Sequence, residues 1–481
     1  MYVKIDEVSK LNIRETSMQN LNLFLNKNDA LKIELINYIL ENDFNSYDMR
    51  HLEIEFSISD YMLKETIDSL NVDLRNQLCF EWLFIEKGMV YQQYRMTRYH
   101  LYKIAKYYFS LSPLKIILEQ RIIIGDFPKY TVMQAEYGWS ASYFFAQRNQ
   151  LISLVKDDSS FTYIQFVYAS FTYFDSVPEF SRLVHRVSDE IFKFLIEKKL
   201  IDKRRYQHEK LLIEICVSEI INNGDTLFDN MKNQTKLSIQ TTQCLPKTIL
   251  SLIGNSESNY LIVLLNMLDS FDFLNKSDHY SYANQKDMNQ IHKIIYPIVS
   301  SFFTTFDVET IEELSMNIAR YTQRFSMKSQ WVFSLEGQVA ISYFRDIFPS
   351  VVYFSEALVE QINKNGELIP SKYLNFYLFN IISIMYEEIT IAKVDAVKIN
   401  VSFSATELTN EMISSMLKNH INHASVSFIK NAKNADIYLS DTINDDVTGE
   451  QVIWKKPPII SDWKALGELI ISIKQNGKKI F

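Results

Sequence analysis

Glycine is scarce in this chain, 10 residues in 481, and no two lie closer in sequence than Gly467 and Gly477. That spacing excludes every glycine-rich phosphate cradle: there is no GxGxxG, no Walker loop and no GxSxG elbow. Few glycines also mean few tight left-handed turns, which favours a helical protein. Cysteine is scarcer still. Cys79, Cys216 and Cys244 are odd in number, far apart and without a CxxC pair, so neither a disulfide framework nor a zinc ribbon is implied, and a reducing compartment is expected. No apolar run approaches a membrane span: Leu261 to Leu265 is typical, and Met1 to Lys10 is charged rather than apolar. A soluble, cytoplasmic protein with no membrane partner is therefore expected.

What the chain does have is apolar mass. Hydrophobic residues make up 47% and aromatics 14%, enough for a globular protein of about three to five domains at roughly 100 to 150 residues each. The net charge of −8 counts against an undirected nucleic-acid binder and requires any basic surface to be local. One stretch qualifies. Lys87, Arg95, Arg98, Lys103, Lys106, Lys115, Arg121 and Lys129 stand against only Glu119 and Asp126, although a solvated helix face gives the same pattern.

Asp29 to Tyr94 reads as a helix-turn-helix followed by a β-hairpin wing. Asp29 can cap a helix with Leu31, Leu35, Ile36, Ile39 and Leu40 at near-helical spacing. Ser46 then precedes a short helix, Tyr47 to Phe56, with Met49, Leu52 and Phe56 for the same core. Ser59 is the strongest N-cap of the region, and Leu63, Ile67 and Leu70 follow at i+4, i+8 and i+11. Tyr61, Lys64, Glu65 and Asp68 are left facing outward, as a recognition helix faces the major groove. Cys79 to Ile85 and Met89 to Tyr91, joined through Glu86-Lys87-Gly88, supply the wing. Any three-helix core with a hairpin would give the same pattern.

A helix from Met96 to Phe109 links this unit to a second one. Leu114, Ile117 and Leu118 open a helix, Tyr130 to Tyr137 makes another, and Trp139-Ser140 repeats the turn-and-cap of Ile58-Ser59. Phe144 and Leu151 take the core positions, with Arg148 where the first copy has Ile67. Ser142, Tyr143, Gln147 and Arg148 can reach DNA; Arg148 can instead lie along the core edge. The basic linker adds Arg95, Arg98, Lys103 and Lys106 to the candidate contacts. Residues 161 to 392 are helix after helix, with Asn/Gly breaks at Asn222-Asn223-Gly224-Asp225 and Asn363-Lys364-Asn365-Gly366 and a boundary near Asp278 to Asp287. The tail changes character: strands at Ala396 to Ser402, Ser425 to Ile429 and Asp436 to Leu439, and helices at Thr406 to Ile421 and Ser461 to Ile473, predict a small α/β domain with a parallel sheet.

The duplicated capped helices at Asn28 to Leu74 and Ser112 to Val155, with the aromatic run Phe166 to Phe174 and Pro178-Glu179-Phe180 behind them, resemble the Mga/AtxA-type regulators of Gram-positive bacteria. The resemblance covers nearly the whole chain. It implies a mainly α, multidomain protein with tandem winged helix-turn-helix units in 1–110 and 111–160. Two all-helical PRD-like (phosphotransferase-regulation) domains would follow in 161–280 and 281–392, and a C-terminal small α/β EIIB-like domain in 393–481. It implies binding to double-stranded promoter DNA, self-association as a homodimer or larger oligomer, and contact with RNA polymerase and a phosphocarrier protein. It also puts a phosphorylatable histidine near His208, beside Arg204, Arg205 and Lys210, where an exposed helix-start histidine is the plain alternative. His185, His279 and His292 have weaker claims, and Tyr386 stands about where some relatives have a second histidine.

Catalysis is not expected. Enzymatic EIIB domains carry phosphate on a cysteine after the first strand; here that loop is Phe403-Ser404-Ala405-Thr406, and no cysteine follows Cys244. His420 and His423 lack an evident third ligand, and Asp441, Asp445 and Asp446 lack the rest of a calcium loop and read as a solvated turn, so neither metal nor cofactor is expected. Two other readings stay open: an RNA-binding PRD antiterminator, which needs a small β-rich N-terminal module, and a sugar phosphotransferase-system component.

Overall fold

The computed structural model describes residues 23–42, 44, 46–155, 160–201, 206–233, 239–240, 245–253, 259–275, 281–282, 285–303, 306–328, 341, 344–345, 349–364, 369, 373–388, 396–404, 407–420, 426–455 and 460–476. The protein is mainly helical, with a small parallel sheet in its C-terminal part. It divides into two compact units, Met1–Gln285 with Met327–Gly337, and Lys286–Ser326 with Gln338–Phe481.

The first unit opens on α1, Lys27–Asn42. Its start is set by Asn26, whose side chain accepts from the Asp29 amide at 2.9 Å, and not by Asp29 itself. β1 (Ser46–Asp48) and α2 (Met49–Phe56) follow. The sequence pattern predicts helix from Tyr47; instead Tyr47 pairs opposite Val90 in a sheet, because the hairpin edge takes up the backbone groups of residues 46–48. Asp48 then caps α2 through the Arg50 amide at 2.8 Å.

Ser59 caps α3, Asp60–Leu78, accepting from the Met62 amide at 3.3 Å, and Leu63, Ile67, Leu70 and Leu74 are buried as their spacing predicts. Cys79 ends α3 in the left-handed region, φ 63, so the strand expected from Cys79 begins only at β2, Leu83–Glu86. The turn to β3, Met89–Gln92, holds Lys87 and Gly88 at φ 50 and 78, the double positive φ of a tight type I′ hairpin. Asn71 of α3 ties the hairpin down: its Oδ1 accepts from the Trp82 and Leu83 amides at 3.0 and 3.1 Å, and its Nδ2 donates to the Leu83 carbonyl at 2.7 Å. An Asn71→Ala chain should lose about 2 kcal/mol of local stability, since two buried amides lose their acceptor; faster hydrogen exchange at Trp82 and Leu83 is the check.

Next come α4 (Arg98–Ser110), α5 (Pro113–Ile124), α6 (Tyr130–Tyr137) and α7 (Ala141–Leu154). Ser112 caps α5 and also donates to the Phe24 carbonyl at 2.5 Å, while Ser140 caps α7 through the Tyr143 amide at 3.3 Å. α8 (Ser160–Tyr173), α9 (Arg182–Glu197), α10 (Tyr206–Asn233), α11 (Lys247–Ile253) and α12 (Tyr260–Ser270) complete the helices described in this unit, and the two-residue strands β4 (Ile239–Gln240) and β5 (Ser281–Tyr282) pair antiparallel. One hydrophobic core runs through them from Phe24 to Leu274. Asn223 does not break α10; it kinks it, at φ −140 and ψ 26.

The second unit begins with α13 (Gln285–Phe302), α14 (Val308–Met327), α15 (Pro349–Lys364) and α16 (Leu374–Glu388). Its sheet holds β6 (Val397–Ser402), β7 (Val426–Phe428), β8 (Ile437–Ser440) and β9 (Glu450–Ile453). All are parallel, in the order β7-β6-β8-β9. α17 (Glu407–His420) and α18 (Ile460–Asn476) bury Leu417, Leu466 and Ile470 against Ile399 and Leu439. β9 carries only two apolar residues, Val452 and Ile453, too few for an alternating pattern to announce it.

Candidate nucleic-acid interface

A buried polar cluster sets where α3 sits. Lys32 of α1, only 6% exposed, reaches Asp73 of α3 at 2.6 Å and Asp29 at 3.3 Å. The Tyr108 hydroxyl of α4 donates to Asp73 at 2.7 Å, and the Lys32 ammonium lies 5.1 Å from the Tyr108 ring centroid. Burial, then the Asp73 hydrogen bond, pushes the Tyr108 hydroxyl well above its ordinary range. The outer face of α3 is exposed, Tyr61 by 73%. Lys64, however, is held by Asp60 at 2.7 Å, and with Glu65 and Asp68 the face sets one cation against three carboxylates. A polyanion gains little there.

α7 is different, because no carboxylate lies on it. Phe144 and Leu151 are buried, and Arg148, between them on the same side, is drawn inward with its guanidinium 5.1 Å from the Phe127 ring centroid. Arg148 thus lies along the core edge, the second of the two placements its sequence position allows. Gln147 is likewise half-buried. Ser142 and Tyr143 are exposed, as expected of them, and so are Phe145, Ala146 and Asn149, which sequence reasoning passed over. Helical spacing from Phe144 and Leu151 would have found these three, since the face opposite a core stripe is the displayed one.

α4 carries the basic surface. Arg95, just ahead of it, and Arg98, Tyr99, Tyr102, Lys103 and Lys106 are all exposed at near-helical spacing, and no carboxylate lies on the helix. Lys103 rests 5.5 Å from the Tyr99 ring centroid, and Lys106 pairs with Asp175 at 2.9 Å. Other cations of the basic stretch are spent inside the fold. Lys115 pairs with Glu119 at 2.6 Å, and Arg121 lies over the rings of Tyr163 and Phe127 at 4.0 and 4.7 Å.

His208 is exposed in the first turn of α10. Arg204 and Arg205 lie outside the described residues, and Lys210 is engaged by Asp189 at 2.9 Å. His185 is placed more tightly: its Nδ1 lies 2.9 Å from Glu214, whose side chain is 5% exposed. A carboxylate accepts, so Nδ1 is the donor in this pair. One turn along α10, Ser218 donates to the Ile122 carbonyl at 2.7 Å, and Asn222 to the same carbonyl at 3.3 Å. At the kink, Asn223 donates to the Gly125 carbonyl at 3.4 Å. α10 thus joins the histidine pair to the end of α5, the helix that carries α6 and α7 behind it.

In the second unit the loop after β6 is latched: the Ser404 hydroxyl and amide donate to Asp441 at 2.5 and 2.9 Å. The expected solvated turn is therefore a structural contact at Asp441. Those same bonds, the hydroxyl's foremost, hold the Asp441 carboxyl below its usual range. A depressed carboxyl contributes stability that is present above its unfolded-state value and lost as pH falls through the folded one. Acidification below the ordinary aspartate range should release the loop and change the emission of Trp454, whose ring lies 6.4 Å from that of Phe403; Asp441→Asn should abolish that step. The His420 and Tyr386 side chains, and His423 and His279 entirely, lie outside the described residues, and His292 is 3.5 Å from Glu312. No described helix is long and apolar enough to cross a membrane. No protein-family model matches the chain, and no curated protein matches it.

Proposed function

We propose that this chain is a DNA-binding transcription regulator of the Mga/AtxA type, gripping duplex DNA through its first unit. The observation that carries the reading is the α4 stripe, an exposed row of cations and tyrosines on a helix with no carboxylate of its own, in a protein of net charge −8. The capped helix α7 supports it, as its exposed N-terminal half carries no carboxylate and is of the kind that enters a major groove. Phosphate contacts by Arg95, Arg98 and Lys103 hold the duplex, and the helices read it. Histidine phosphorylation by a carrier protein, on His208 or on the Nε2 of His185, modulates binding through α10. The C-terminal sheet domain joins copies of the chain, and RNA polymerase is the downstream partner.

Fluorescence anisotropy of the full chain on a labelled duplex, with salt raised from about 50 to about 200 mM, tests the proposal. The expected result is a linear fall of log affinity with log salt, of slope about −3 for three to four phosphate contacts. Arg98→Glu with Lys103→Glu should flatten that slope by about 2. Absence of duplex binding, or binding indifferent to salt, overturns it. Preference for an RNA of equal length would transfer the reading to an antiterminator.

A further inference from the structure

We infer that α7 reads adenine·thymine base pairs through Ser142, Phe145, Ala146 and Asn149; this rests on the proposed DNA binding. The four residues are exposed on one face over the first three turns of a helix capped by Ser140. That is the part of a recognition helix that meets base edges. Their chemistry is selective. Reading guanine in the major groove calls for an Arg or Lys on its O6 and N7, and the one cation of α7, Arg148, is turned onto Phe127. Asn149 has the amide that pairs in bidentate fashion with adenine N6 and N7, while Ala146 and Phe145 offer apolar contact to the thymine methyl. Ser142 bonds to either base.

The occupant follows from charge. An exposed, neutral face with a ring at its centre could suit another protein, but the same unit carries the exposed cations of α4, a helix without a carboxylate of its own, which suits a polyanion. α3 cannot share the task equally: Asp60, Glu65 and Asp68 face outward beside Lys64.

The experiment uses the full chain and three duplexes of about 30 base pairs at one salt concentration: alternating dA·dT, alternating dG·dC, and the dA·dT duplex with every thymine replaced by uracil. The dA·dT duplex should bind at least about 5-fold tighter than dG·dC, on the scale of one good base contact. Uracil should lose a measurable part of that preference, since only the methyl groups are gone. Asn149→Ala should remove most of the remainder, and Asn149→Arg should turn the preference towards dG·dC. Both variants change an exposed helix position, and unchanged circular dichroism confirms folding. Equal binding of all three duplexes overturns the inference and leaves the DNA reading standing. A dA·dT preference that survives both uracil and Asn149→Ala is read from groove shape and overturns it too. If no duplex binds at all, the DNA reading falls and this inference with it.

Discussion

Asp73→Ala should destabilise the packing of α3 by about 3–5 kcal/mol, the range seen when one partner of a buried ion pair is removed. The Lys32 ammonium would keep Asp29 at 3.3 Å and the Tyr108 ring but lose its shorter ion pair, and the Tyr108 hydroxyl would lose its acceptor at 2.7 Å. Both groups are buried, so water replaces the carboxylate poorly. Asp73→Asn keeps an acceptor for Tyr108 and should cost less. The double change Lys32→Met with Asp73→Leu removes both charges together and should recover most of the loss. Hydrogen exchange across α1, α3 and α4 measures this directly. Equal protection in the wild-type and Asp73→Ala chains would mean that the cluster does not hold α3.

This cluster also marks how far the sequence can be read. The capping serines Ser59 and Ser140 and the stripe Leu63, Ile67 and Leu70 are local signals, and the helices they announce stand where expected. So do the strand at Val397–Ser402 and the helix at Tyr130–Tyr137. What escaped depends on partners far away in sequence. Lys32 reads as a surface residue until Asp73 and Tyr108 are seen beside it. Ser46–Asp48 reads as the start of a helix until β3 offers an edge. Asn222 and Asn223 read as a loop, because nothing local says that two carbonyls at the end of α5 await them. At the candidate interface, the sequence leaves Arg148 either a DNA contact or a place along the core edge, and only the fold brings the Phe127 ring beside it. The displayed residues Phe145, Ala146 and Asn149 follow from periodicity alone, since they stand opposite the core positions Phe144 and Leu151.

Gly449→Ala should be among the most damaging single methyl additions in the C-terminal sheet. A Cβ at that position would lie 2.2 Å from the Ala435 carbonyl oxygen and 2.7 Å from that of Asp436. Both are backbone atoms, so no side-chain rotation relieves the clash. The Asp436 carbonyl already accepts from the Glu450 amide at 2.9 Å, and the Asp436 amide donates to the Lys398 carbonyl at 2.8 Å. Moving this segment therefore strains β9 on one side and β6 on the other. Overpacking of this kind costs typically 1–3 kcal/mol and more where backbone must shift, so about 3 kcal/mol is expected. Gly467 is the internal control. It sits inside α18 with nothing within 4 Å of the added carbon, and Gly467→Ala should stabilise the same domain by about 0.5–1 kcal/mol, as alanine favours helix interiors over glycine. Thermal unfolding of the variant chains followed by tryptophan emission, with Trp454 and Trp463 in ring contact at 5.1 Å, should separate the two variants in opposite directions. If the sheet domain joins copies of the chain, as proposed, Gly449→Ala should also lower the associated fraction in sedimentation while Gly467→Ala leaves it intact. Loss of the sheet without loss of association would place the contact between copies elsewhere.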